Sequence, residues 1–187
     1  MAESKENILT KGFSGTVARL LTFRQKAGKT VVAKLRRPSS VPPTDKMVAV
    51  RDKFQSSIAY AKGAIKDPAV KALYQAVAKP GESAFNVAVA DAFKAPKVES
   101  IKTDNYHGAA GDTITVKATD DFKVTGVTVS ILNAAGDLIE EGNAVMQINE
   151  TDWLYTTTQA NAAVAGSKIT AAATDMPGNS TSLVVNL

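Results

Sequence analysis

Few residues in this chain have the means to do chemistry, and their spacing decides against most of it. Gly28-Lys29-Thr30 has the ending of a phosphate-binding loop. Such a loop needs a glycine five positions before Gly28, where Phe23 stands, and a helix afterwards, where β-branched residues follow. The run therefore reads as a turn. His107 is the only histidine and cysteine is absent, so a zinc site or a Ser-His-Asp relay would have to be built around one imidazole in a Tyr-His-Gly-Ala-Ala-Gly stretch. It reads as a surface-loop residue. Ser14, in Gly12-Phe-Ser14-Gly15, lacks the Gly-x-Ser-x-Gly spacing of a nucleophile elbow. No general base, nucleophile or metal cluster is legible, so the expectation is a non-enzymatic protein.

Two polar groupings remain. Asp120, Asp121, Asp175 and Asn179 sit where loops of a β-sandwich would meet at one end, and there they are candidate oxygen ligands for Ca²⁺. The same residue types also serve simply as turn formers, and nothing else in the chain calls for a cofactor. Glu140-Glu141 beside Gly142 reads as a solvated turn. The second grouping is a basic head: Lys11, Arg19, Arg24, Lys26, Lys29, Lys34, Arg36 and Arg37. Three readings stand for it. It is an assembly arm docking on an acidic neighbour, a β-ribbon lying on nucleic-acid phosphates, or a charged hairpin packed locally. Phe23 alone could stack a base, which argues against sequence-specific reading of single strands.

The charge is sorted along the chain. Residues 1–43 carry nine Lys/Arg against two acids, residues 44–96 eight against five, and residues 97–187 five against eleven. These balances of +7, +3 and −6 leave the formal +4. A cationic head and an anionic tail attract the opposite ends of other copies. Aromatic residues make up only 6%, so the core must be assembled from small side chains, largely Ala and Val. No apolar stretch approaches the ~20 residues of a membrane span, and the start MAESKENILTKGF lacks the apolar run of a signal peptide. The expected location is the cytoplasm, or a particle assembled there, with no membrane partner.

The elements that must position these residues change period twice. In residues 1–43, Thr16–Arg24 and Thr30–Arg37 read as strands of a β-hairpin turning at Lys26-Ala27-Gly28-Lys29, followed by a stiff connector from Pro38 to Pro43. A lone two-stranded hairpin is marginal in water and must rest on something. In residues 44–96, Thr44 or Asp45, Asp67-Pro68 and Ser83 mark the starts of three helices. The first has its apolar face at Met47, Val50, Phe54, Ile58, Ala61 and Ile65. Residues 97–187 read as short strands at 113–119, 124–132, 153–158, 168–174 and 182–187 around Trp153, the signature of a β-sandwich. The expected class is α+β: an N-terminal β-hairpin arm, a short helical layer and a C-terminal antiparallel sandwich.

The run Asp112 to Asp121, then Val124 to Ile131, then Ile169 to Asp175 with Pro177-Gly178-Asn179, resembles bacterial immunoglobulin-like domains. The resemblance implies a sandwich used for structure or recognition and brings no active site. The stretch from Gly15 through Phe23 to Val32 is similar to the opening of uncharacterised Bacteroidetes proteins, which implies no function. The expected function is a self-assembling structural protein, a filament, tube or particle subunit whose main partner is further copies of itself. The alternatives are a nucleic-acid-binding accessory protein and an adhesive or ligand-binding immunoglobulin-like module.

Overall fold

The computed structural model describes residues 2–4, 10–26, 28–35 and 40–187. Four short strands form the first sheet: β1 (Ala2–Ser4), β2 (Gly15–Val17), β3 (Leu21–Lys26) and β4 (Lys29–Lys34). Their order is β1-β4-β3-β2 and every pairing is antiparallel. The expected hairpin is present as β3–β4, closed where Gly28 takes φ 76°. Two features differ from the sequence reading. The first strand is broken at Ala18 and Arg19, whose φ values of 51° and 53° make a tight turn closed by the Leu20 amide donating to the Val17 carbonyl at 3.0 Å. The hairpin also gains an outer strand on each side.

Helix α1 (Asp45–Ala64) starts where the Thr44 hydroxyl accepts from the Met47 amide. Helix α2 (Pro68–Val77) is capped by Asp67, and α3 (Ala84–Phe93) by Ser83. All three caps fall where the sequence places them, because each side chain accepts an amide proton that the first turn leaves unpaired. The apolar face of α1 is only partly used. Ser57 and Ala61 are buried, whereas Met47, Val50 and Phe54 are exposed. The reason is length: twenty residues rise about 30 Å and the ten of α3 only about 15 Å, so the front half of α1 overhangs its partner. A small core of Ala61, Tyr74, Ala84 and Ala88 extends to Phe122 and Met176, which come from beyond the helices.

The remaining strands build two antiparallel sheets. One has the order β5 (Lys97–Lys102), β6 (Thr113–Thr119), β10 (Asp152–Thr156), β9 (Val145–Met146). The other runs β12 (Ser180–Asn186), β11 (Lys168–Asp175), β7 (Val124–Leu132), β8 (Leu138–Asn143). Alternate residues such as Ile114 and Val116, Val127 and Val129, Ile169 and Ala171 point inward, and Trp153 closes the core as expected. Along one side β5 and β12 lie against each other. Along the other, the chain leaves β8, crosses at the buried Ala144 and continues as β9, so one segment forms the outer edge of both sheets. Glu140 overturns the solvated-turn reading. It lies in β8 and is buried, with its Oε2 accepting from the Thr158 amide, the Thr158 hydroxyl and the Gln159 amide.

Candidate functional site

The basic residues of the first sheet lie mostly on one face. Cross-strand partners Arg24↔Val31 and Lys26↔Lys29 share a face, whereas Leu21, Phe23 and Val32 project from the other, joined by Val17 opposite Leu21. Phe13 stacks edge-on against Phe23 at 5.8 Å. Arg19 sits in the strained turn; Arg19, Arg24, Lys26, Lys29 and Lys34 are all exposed. Arg36 and Arg37 lie outside the described residues, as does Pro38 of the connector. Residues 10–35 hold six Lys/Arg and no acid. Among the described residues of this stretch only Thr30 is buried, under the Gln25 amide that donates to its hydroxyl at 2.9 Å. Phe13, Val17, Leu20 and Leu21 are exposed. A four-stranded sheet normally buries one apolar face; here Phe23 and Val32 are half-buried beneath Phe13 and Gln25, and the rest of the face is exposed and rimmed with positive charge.

The β8–β9 edge has the opposite character. Residues 124–167 contain five acids and no Lys or Arg. Glu140 is held inside, while Asp137, Glu141 and Glu150 are exposed. Apolar side chains stand between them: Leu138 is 58% exposed, Val145 68% and Ile148 fully. Beside Met146 an open cavity of about 410 Å³ runs between the β6–β7 turn and the β9–β10 loop, with Phe122 and Val124 in its wall. Sequence reasoning missed this edge because it took residues 140–142 for a turn.

The acidic set assembles differently from the expected one. Asp120 and Asp175 do meet, but their third partner is Asp91 of α3; one oxygen from each lies within 4.8 Å of the others. Asp121 turns outward and pairs with Lys94. Asn179 presents its amide hydrogens, donating to Asp175 Oδ2 at 2.7 Å and to the carbonyls of Ala92 and Lys94 at 3.3 Å. It therefore fastens the end of α3 to the sandwich. Asp120 Oδ2 accepts from the Phe122 and Lys123 amides, and the two Asp175 oxygens accept hydrogen bonds from the backbone and side-chain amides of Asn179.

Asp91 is 1% exposed, and its Oδ2 accepts from the Tyr74 hydroxyl at 2.6 Å. Tyr60 meets Tyr74 at 3.0 Å. The second Asp91 oxygen is buried without a partner. Burial pushes the Asp91 carboxyl up to about 7, against the Tyr74 hydrogen bond and with help from Asp120 and Asp175. Burial, then the bond to Asp91, likewise raises Tyr74 far above the usual tyrosine range. Three clustered carboxylates can be neutralised by a hard cation or by a proton. A proton on Asp91 shared with Asp120 would also satisfy the orphaned oxygen.

His107 is exposed in the β5–β6 loop, where its backbone amide and that of Ala109 donate to Asp112. Ser14 lies exposed before β2, and of Gly28-Lys29-Thr30 only Gly28 is in the turn, with Lys29-Thr30 opening β4 where a phosphate-binding loop would continue into a helix. No helix among the described residues is long and apolar enough to cross a membrane.

No protein-family model matches the chain, and no curated protein matches it. Among solved structures, one similar chain is a tetra-tandem repeat in the extending region of a large adhesion protein. The identity is 21% and the TM-score 0.34, over 49% of this chain and 22% of that one. Another is an engineered protein, 14% identical with a TM-score of 0.35, over 58% of this chain and 30% of the other. This chain thus spans less than a third of the length of either, and likenesses of this size leave function to be argued from the residues.

Proposed function

We propose that this chain is a non-enzymatic structural protein that self-associates, with an immunoglobulin-like sandwich of the bacterial type as its body and the basic N-terminal sheet as its connecting arm. The observation that carries the reading is the exposed apolar side chains of the first sheet and its turns. Phe13, Val17, Leu20 and Leu21 stay about half exposed in a single chain, and an apolar face rimmed by charge is what an interaction surface requires. Charge sorting supplies the orientation, because the cationic arm of one copy is attracted to the anionic sandwich of the next. Such head-to-tail contacts close into rings or continue as filaments.

Light scattering on the full chain and on one lacking residues 1–40, each at low and high salt, tests the proposal. The full chain is expected to form particles larger than a monomer at low salt and to lose mass as salt screens the attraction, while the shortened chain stays monomeric. A full chain that is monomeric throughout would contradict it. The cations of residues 10–35, a stretch of sequence without an acidic residue, also suit phosphate, and this second reading makes its own demand. A gel-shift series would have to show nucleic-acid binding that falls steeply with salt, at protein concentrations where self-association is absent.

A further inference from the structure

We propose that the acceptor for the N-terminal sheet is the β8–β9 edge of a second copy, centred on Val145 and Ile148. This rests on the assembly reading above and names the surface it uses. Three observations lead there. The sandwich has two sides where sheet edges meet, and on one of them β5 and β12 already cover each other. The other side ends in β8 and β9, each bonded to a neighbouring strand on one side only. That leaves backbone groups able to pair with an incoming strand.

Chemical match is the second. The edge mixes exposed Leu138, Val145, Met146 and Ile148 with Asp137, Glu141 and Glu150. The arm mixes exposed Phe13, Val17, Leu20 and Leu21 with Arg19, Arg24 and Lys26. Apolar groups meet apolar groups, and each charge finds its opposite. The cavity of about 410 Å³ beside Met146 has room for a phenylalanine or leucine side chain. The third observation removes the main rival. An exposed apolar strip of α1, Met47, Val50 and Phe54, lies among Lys46, Arg51 and Lys53 with Asp45 and Asp52 in opposition, so it lacks the negative charge that would attract a cationic arm.

Within one chain the two surfaces remain exposed, so each is open to the other in a second molecule. β2 is the outer strand of its sheet, and as an edge strand it can extend the sandwich sheet beyond β9.

The absence of cysteine makes cross-linking a clean test. Full-length Val17→Cys and Ile148→Cys are mixed under mild oxidation, with Val50→Cys in place of Ile148→Cys as the control. The expected product is a disulfide-linked pair containing one of each variant, at least tenfold more abundant than the control pair and reduced by salt. Equal linking to Val50→Cys would overturn the proposal. So would a double Val17→Cys/Ile148→Cys chain that links within itself in preference to a partner. Light scattering on a Val145→Lys/Ile148→Lys chain, whose altered positions are solvent-facing, separates the two levels of the argument. Roughly tenfold weaker association supports this edge. Unchanged association leaves assembly standing and rejects the edge, and a monomeric parent removes both.

Discussion

The surroundings of Asp91 push its carboxyl toward the neutral form. It is 1% exposed, faces Asp120 and Asp175, and its carboxyl is raised to about 7 from the ordinary 3.8. In the unfolded chain the same group ionises near the ordinary value. Between about pH 4 and 7 the unfolded state has therefore lost a proton that the folded state keeps, and stability falls as pH rises through that window. Asp91→Asn keeps an acceptor for Tyr74 and offers hydrogens to Asp120 and Asp175. It is expected to flatten that part of the profile and to raise stability at pH 8 by on the order of 1–3 kcal/mol. Urea denaturation at pH 4 and pH 8 checks this, and a variant with the parent's slope would show that the proton sits elsewhere. The sequence makes Asp120 and Asp175 readable as turn acids, but Asp91 stands in a helix of a different layer. Only the packing of α3 on the sandwich end brings it to them. Asn179 reads as an oxygen donor from sequence and acts as a hydrogen donor, because the Ala92 and Lys94 carbonyls lie within its reach.

At the scale of elements, what sequence reveals tracks how regular each element is. Strand β6 alternates throughout and β7 alternates from Val127 onward, and residues 113–119 and 124–132 are strands as that alternation requires. Strand β5 escapes the same reasoning because a bulge between Val98 and Ser100 resets its register, so its two buried apolar residues, Val98 and Ile101, are three apart. Strand β8 hides behind Glu140, whose burial depends on donors from the chain after β10 that no local pattern announces. The turn at Ala18-Arg19 is similar: it takes left-handed backbone at two residues with side chains, where Asn-Gly would be usual. Ala18→Gly is expected to relieve about 0.5–1 kcal/mol there, and Ala18→Val to add strain. Amide exchange at Leu20 and Leu35, which donate to Val17 and Leu20, should slow roughly twofold to fivefold in the glycine variant and quicken in the valine one. The reverse order would contradict the strained turn.

For the molecule as a whole, burial is distributed very unevenly. The sandwich and the helices each close a core, joined through Tyr74 stacked on Phe122 at 4.5 Å, while the N-terminal sheet leaves part of its apolar face exposed. That sheet carries the chain's densest positive charge, and the free edge of the sandwich is purely negative. The charge sorting and the hairpin are visible in the sequence. The free edge is not, since it exists only once β8 and β9 have become the rim of both sheets.

In the proposed assembly the exposed part of the first sheet, at Phe13, Val17, Leu20 and Leu21, is sheltered by another copy. Hydrogen exchange of backbone amides in residues 10–35, followed across protein concentration at low salt, measures this directly. Protection that grows with concentration and fades on adding salt is the predicted result. Protection already complete in the most dilute sample, and indifferent to both variables, would contradict it.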